Sequence, residues 1–225
     1  MKLKTVGHVL HCEATPGALP PLTGRLFDYV LTADGLYVHG KRQGLEVCFP
    51  VILQEVRELA PVEEMIYFDL PRVPQSLVQE ILTVSTDFAR HGLETLFYLI
   101  HSRVYPWNRG WELVMPKQNR TAMSCQALDT GPDSDYSKAI IEVHSHHLMR
   151  ARFSHADDMD ERGFRLYGVV GRLGTKPEIR LRVGMYGYFH EIPARRAMEL
   201  PAGLNCCVEI ESEAKEKTDL CKDKE

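Results

Sequence analysis

Residues 140–158, IIEVHSHHLMRARFSHADD, hold the side chains best suited to chemistry. His144 and His146 stand two apart at the end of an apolar, β-prone run. In a strand both imidazoles then project from one face, about 6.5 Å apart along the backbone, and two ring nitrogens can converge on one metal ion. An isolated HxH also arises by chance in a chain with 10 histidines. Seven residues separate His146 from Ser154, and two separate Ser154 from Asp157. Asp157 can complete a His, His, Asp set that leaves a fourth tetrahedral position for water. Ser154 and Asp157 also read as a helix N-cap with its N3 acid. The two readings are compatible, because a cap fixes the first turn and with it the direction of Asp157.

Taken together, HxH, seven residues, Ser, two residues, Asp resembles the JAMM (MPN+, JAB) metalloprotease motif. That motif is a distant Glu followed by HxHx7SxxD, and His144, Ser145, His146, Ser154 and Asp157 match it. Other HxH families fit less well. An amidohydrolase barrel needs more than the roughly 80 residues that follow His146. A metallo-β-lactamase HxHxD would need an acid at Leu148, and a cupin would need Glu where Met149, Arg150 and Ala151 stand. The resemblance implies an upstream catalytic Glu on a strand just after the first helix of the domain. Glu94, 50 residues before His144, holds that place, with Glu112 as the alternative; Glu142 sits too close, on the metal strand itself. Two departures are Thr95-Leu96-Phe97 after Glu94, where many relatives have Gly, and His147, where many have Pro. His147, His155, Asp158 and Asp160 are extra polar groups around the motif.

The resemblance implies Zn²⁺ held by His144, His146 and Asp157, which would lower the pKa of a bound water to about 7. Glu94 would act as general base and then acid, and the Ser154 hydroxyl would stabilise the oxyanion. Nitrogen and oxygen ligands also admit iron, cobalt or manganese. The implied substrate is a ubiquitin-like or sulfur-carrier-like protein, cut at the amide or isopeptide bond of its C-terminal glycine. Its tail would lie between rims at residues 103–135 and 147–153; Tyr105, Trp107 and Trp111 cluster in the first, where Trp111 reads equally as a buried structural residue. The resemblance covers residues 71–203. A JAB domain behind a β-rich segment looks most like the JAB proteins of PRTRC cassettes (ParB-related, ThiF-related), which implies E1-like (ThiF-family) and E2-like partners. The implied fold is JAB/MPN-like (cytidine-deaminase-like).

The elements that must position these residues follow from periodicity. Residues 1–70 read as a small β-rich module, with a hairpin at LFDYVLTADGLYVHGK turning at Ala33-Asp34-Gly35. A helix is predicted over 75–90, with Leu77, Ile81, Val84 and Phe88 at helical spacing, Ser76 and Gln79 as a capping box, and Gly92 as a stop. Strands follow at ETLFYLIHS, WELVMP, TAMSCQAL and AIIEVHSH, then a short helix in SHADDMDERGF. Further strands are expected at FRLYGVVGRL, IRLRVGMYGYF and NCCVEI, and a charged, disordered tail at ESEAKEKTDLCKDKE. This order predicts an α+β or three-layer mixed fold, with domains over 1–70 and 71–203 and a terminal strand and tail over 204–225.

Composition removes other classes. The chain has 225 residues, 44% hydrophobic and 26% charged, in the globular range. Its net charge of -4 and lack of a Lys/Arg cluster argue against direct nucleic-acid contact. No apolar run reaches the roughly 18 residues of a membrane span, and the first residues lack a signal core, so a soluble cytoplasmic protein is expected. The six cysteines include no CxxC pair, so reduced thiols are expected. Two further readings stand beside the protease: a non-catalytic MPN-type scaffold, and a metal-dependent role in plasmid maintenance.

Overall fold

A computed structural model of the chain describes residues 10–12, 19, 21–23, 26–102 and 107–208. Tyr105 and the charged segment ESEAKEKTDLCKDKE lie outside the described residues. The architecture is mixed α+β and mostly sheet, and the chain divides into two compact units, Met1–Leu70 and Pro71–Glu225.

The first unit is one sheet of β1 (Leu10–Cys12), β2 (Asp28–Thr32), β3 (Gly35–Arg42), β4 (Leu45–Leu53) and β5 (Met65–Phe68), in that spatial order. β1 runs parallel to β2, and the other neighbours are antiparallel. The expected hairpin is β2 and β3, turning at Ala33-Asp34. Val30, Tyr37, Cys48 and Val62 form its core. Burial pushes the Cys48 thiol up to about 12, so this cysteine packs as a small hydrophobe.

The second unit opens with α1 (Gln75–Ala89), followed by β6 (Leu96–His101), β7 (Trp111–Val114), β8 (Gln118–Arg120), β9 (Cys125–Ala127) and α2 (Asp135–Lys138). β10 (Ile141–Ser145), α3 (His155–Asp160), β11 (Phe164–Gly171), β12 (Glu178–Met185), β13 (Tyr188–Ile192) and β14 (Asn205–Cys206) complete it. The main sheet has the order β13-β12-β11-β10-β6-β7, with β14 beside the start of β12; β8 and β9 form a separate hairpin. Within that path only β10 and β11 are parallel, joined by the crossover that carries α3.

Five local expectations need correction. Pro74, not Ser76, is the N-cap of α1: its fixed φ of -59° starts the helix at Gln75, which leaves Ser76 inside the first turn with no capping bond. The buried stripe is Leu77, Val78, Ile81, Leu82 and Ser85, while Val84 and Phe88 are half-buried and the Phe88 ring carries the Arg120 guanidinium at 4.4 Å. IRLRVGMYGYF is two strands, because Tyr186 and Gly187 both take positive φ and form a tight hairpin turn. Of NCCVEI, Glu209 and Ile210 lie outside the described residues, and among the described ones only Asn205 and Cys206 pair; the strand in TAMSCQAL is confined to β9, whose partner β8 is too short and polar to give a periodic signal. Gly92, with φ of 66°, ends α1 as expected.

Both faces of the main sheet are covered. On β6, Leu96, Tyr98 and Ile100 pack with Cys125 and Ala127 of β9 and with Tyr136 of α2. The alternate face carries the Thr95 hydroxyl, which meets Ser85 of α1 at 3.1 Å. Among the described residues, no helix is long and apolar enough to cross a membrane.

Candidate metal centre

The centre is built where the carboxyl end of β10 meets the amino end of β6. Antiparallel pairing sets His144 opposite Leu96. The Ser145 N–H then donates to the Thr95 carbonyl at 2.9 Å, and continuing that register brings Glu94 opposite His146. Residues directly opposite in a sheet share a face, so Glu94, His144 and His146 point the same way and Ser145 points to the other. There Ser145 Oγ accepts from the Thr95 N–H at 2.9 Å and from its hydroxyl at 3.1 Å, and Thr95 meets Ser85. The small residue between the histidines thus ties the Glu-bearing backbone to the metal strand. Its place between the histidines is legible in the sequence, but this bond is not.

Asp157 arrives from the other direction. Ser154 caps α3: its Oγ accepts from the Asp157 N–H at 3.2 Å, and its own N–H donates to Asp157 Oδ2 at 2.5 Å. The capping box holds Oδ2, and Oδ1 faces His144 Nε2 at 3.3 Å. The two Nε2 atoms lie 3.1 Å apart, and His146 Nε2 is 3.7 Å from Asp157 Oδ2. A tetrahedral ion with bonds near 2.05 Å separates its ligand atoms by about 3.3 Å. The donor set therefore fits a small divalent cation without rearrangement. Among the described residues, these three are the one His/Cys/Asp/Glu group whose ligand atoms converge in this way.

Electrostatics points the same way. Three Lewis bases at these distances repel unless something positive lies between them. Burial works against charge on His144, but the hydrogen bond and charge of Asp157, with Glu161 and Glu94, raise its pKa above the ordinary value. Burial and the His144 charge push His146 down to about 4. Without a cation, a proton is thus favoured on His144 over His146. Burial also opposes ionisation of Asp157, but His144 and the Ser154 bonds outweigh it and hold the carboxyl well below its usual range.

Glu94 is buried, its backbone N–H donating to Thr121 O at 3.0 Å. Burial pushes its carboxyl up to about 7, with His144 pulling down and Asp157 pushing up, so it lies within electrostatic reach of both ligands. It precedes β6 by two residues rather than opening the strand. The alternative base, Glu112, is exposed on the edge strand β7, paired with Ile100 six residues along from Glu94 and so away from the histidines. Glu142 is held by Arg165 at 3.4 Å.

The extra polar groups are occupied elsewhere. His147 Nε2 bonds Ala122 O at 2.7 Å, joining the loops on either side of the site. Asp158 accepts from Arg182 at 2.6 Å, Asp160 accepts from Gln126 at 3.2 Å, and His155 is exposed. Of the expected rim aromatics, Trp111 is 1% exposed with its Nε1–H on Pro71 O at 2.7 Å, and Trp107 sits beside α1, so neither borders the histidines. Met123, Leu148 and Met149 are the exposed apolar side chains on the site's two loops.

Gly171 sets the position of the loop after His146. A Cβ there would lie 2.4 to 2.6 Å from backbone atoms of Met149, Arg150 and Ala151. That loop is laced to the end of β11 by Arg172 N–H to Met149 O (2.6 Å) and Leu173 N–H to His147 O (2.8 Å). Gly171→Ala is expected to cost about 1–3 kcal/mol, since backbone cannot yield as a side-chain tip can. Thermal unfolding of the metal-free protein, followed by zinc titration, would check it: a lower melting temperature and weaker binding are expected together.

No protein-family model matches the chain, and no curated protein matches it.

Proposed function

We propose that the second unit is a JAMM-type zinc metallopeptidase with a JAB/MPN-like fold, cutting the amide or isopeptide bond at the C-terminal glycine of a ubiquitin-like or sulfur-carrier-like protein. The observation that carries this reading is the convergence of His144, His146 and Asp157 beside a buried Glu94 carboxyl. Zinc, when bound, would supply Lewis-acid polarisation of the scissile carbonyl and acidify a water. Glu94, with a pKa near 7, is matched to taking the proton of the attacking water and returning it to the leaving amine. Ser154 Oγ already accepts from the Asp157 N–H, which leaves its own O–H to donate to the oxyanion at the exposed rim. Met123, Leu148 and Met149 on the two loops give an extended tail an apolar bed. On the His144 face a cavity of about 400 Å³, lined by Leu96, Tyr98, Cys125, Tyr136, Glu142 and Asp160, offers room for a substrate side chain.

The complete ligand set argues against the scaffold reading, since a scaffold has no need of a buried base beside three metal donors. The proposed partners are those of a PRTRC-type cassette: the ubiquitin-like substrate with E1-like (ThiF-family) and E2-like proteins. The test is to incubate the zinc-loaded protein with ubiquitin-like proteins extended by a short peptide after their terminal glycine, and to read the products by mass spectrometry. Cleavage at that glycine, stopped by a chelator, is expected. A zinc-loaded protein that cleaves none of them but binds them stoichiometrically would move the assignment to the scaffold.

A further inference from the structure

One side chain of the sheet lies in an environment that its chemistry does not explain locally. Arg182, in the middle of β12, is buried, and its guanidinium is stacked between the rings of Phe153 (3.9 Å) and Phe189 (3.8 Å). A buried guanidinium is costly unless its donors are met. Here they are met by α3 and its cap: Nε and Nη2 donate to Glu161 Oε2 at 2.9 and 2.6 Å, and Nη1 donates to Asp158 Oδ1 at 2.6 Å. Both bonds from Nε and Nη2 fall on one oxygen of Glu161. The other, Oε1, is buried with no hydrogen-bond partner and points at His144 Nδ1, 3.7 Å away.

His144 presents Nε2 to His146 and Asp157, so Nδ1 is the nitrogen left to be oriented. A metal-binding imidazole holds its lone pair on target when its second nitrogen donates to a fixed acceptor. For His146 that partner is the backbone of Arg150. For His144 the one orphaned acceptor in reach is Glu161 Oε1, and closing 3.7 Å to hydrogen-bond range takes a shift of under about 1 Å.

We propose that Arg182 and Glu161 form a positioning relay for the metal centre: Arg182 clamps one oxygen of Glu161 so that the other fixes the ring and tautomer of His144. The inference rests on the metal-centre reading above. Glu161 touches neither ion nor substrate and is a positioning residue. Its spacing serves this: Asp157 and Glu161 are four residues apart, joined by the Glu161 N–H to Asp157 O bond at 2.8 Å, so one short helix and its C-cap deliver both a ligand and the orienting carboxylate of another ligand.

The test compares Co²⁺ binding to the metal-free wild type, Glu161→Gln and Asp158→Asn, by competition with a chromophoric chelator and by the visible spectrum of the bound ion. Gln has the shape of Glu but must turn its NH2 either onto the Arg182 donors or onto His144 Nδ1. Glu161→Gln is expected to lose about 10- to 100-fold in Co²⁺ affinity with an altered spectrum. Asp158→Asn, which loosens Arg182 and keeps Glu161, is expected to lose less. A merely structural role would lower the melting temperature of the metal-free protein and leave affinity and spectrum of the folded fraction unchanged. Wild-type affinity and spectrum in Glu161→Gln would overturn the relay alone. If Glu161→Gln does not fold, Asp158→Asn decides, and unchanged affinity there overturns it. No binding by the wild type would remove the relay and the metal centre together.

Discussion

Replacing Glu94 by Gln is expected to abolish cleavage, leave zinc in place and make the metal-free protein more stable at neutral pH. The first effect is the loss of the proposed general base, about 10²- to 10⁴-fold in rate. Zinc content should be unchanged because Glu94 is not among the converging donors. The stability effect follows from burial, which raises the Glu94 carboxyl to about 7, against about 4.3 for an unperturbed Glu. Between those pH values the folded state binds more protons than the unfolded one, so stability falls as pH rises through the window. Gln is neutral throughout and carries no such slope. The metal-free variant should therefore melt above wild type at pH 7.5, with the difference closing toward pH 4. Near-normal turnover in the zinc-loaded variant would remove Glu94 from the mechanism. Equal melting at pH 7.5 would show that its carboxyl is not held in a desolvated site.

Wild-type protein should carry about one zinc per chain by elemental analysis, and both His146→Ala and Asp157→Asn should carry almost none. At zinc 100-fold above its dissociation constant, mass action adds about 2.7 kcal/mol to stability. For a chain of this size that raises the melting temperature by about 5–10 °C, and the rise should vanish in both variants. Asp157→Asn is the sharper probe. The amide oxygen still accepts from the Ser154 N–H, so the cap survives while the charge is lost. The Asp157 carboxyl is held below its ordinary range, so its contribution is present above about pH 3.9 and is lost as pH falls through the folded value. Metal-free Asp157→Asn should therefore melt below wild type at pH 7, the opposite sign to Glu94→Gln. Two carboxyls of one site differ because Asp157 has a cap and an imidazolium as partners, whereas desolvation dominates Glu94. A wild-type protein that folds, holds no metal and gains nothing from added zinc would exclude the metal centre.

The amino-acid sequence by itself determined the parts of the site that depend on local spacing. Two histidines two apart in an apolar run project from one strand face whatever the rest of the chain does, and Ser154 with Asp157 makes a cap from backbone geometry alone. The main helix, the paired strands before and after it and the β2–β3 hairpin were legible for the same reason, since a period of 3.6 or 2 and a tight turn are local properties. Tertiary structure decided the choices that local signals left open. Glu94 and Glu112 are both acids near strand starts, and only the antiparallel register of β6 on β10 separates the buried one beside His144 from the exposed one on β7. Trp111 read equally as a rim aromatic or a core residue, and packing put it in the core. Gly171 and Ser145 carry no signal of their work, because a close backbone approach and a bond to Thr95 join residues distant in sequence. The same holds for Arg182, which in IRLRVGM looks like the polar phase of a strand. Its burial, its two aromatic faces and its grip on Glu161 exist only once α3 lies against β12, since long-range electrostatics and desolvation are set by what the fold brings together.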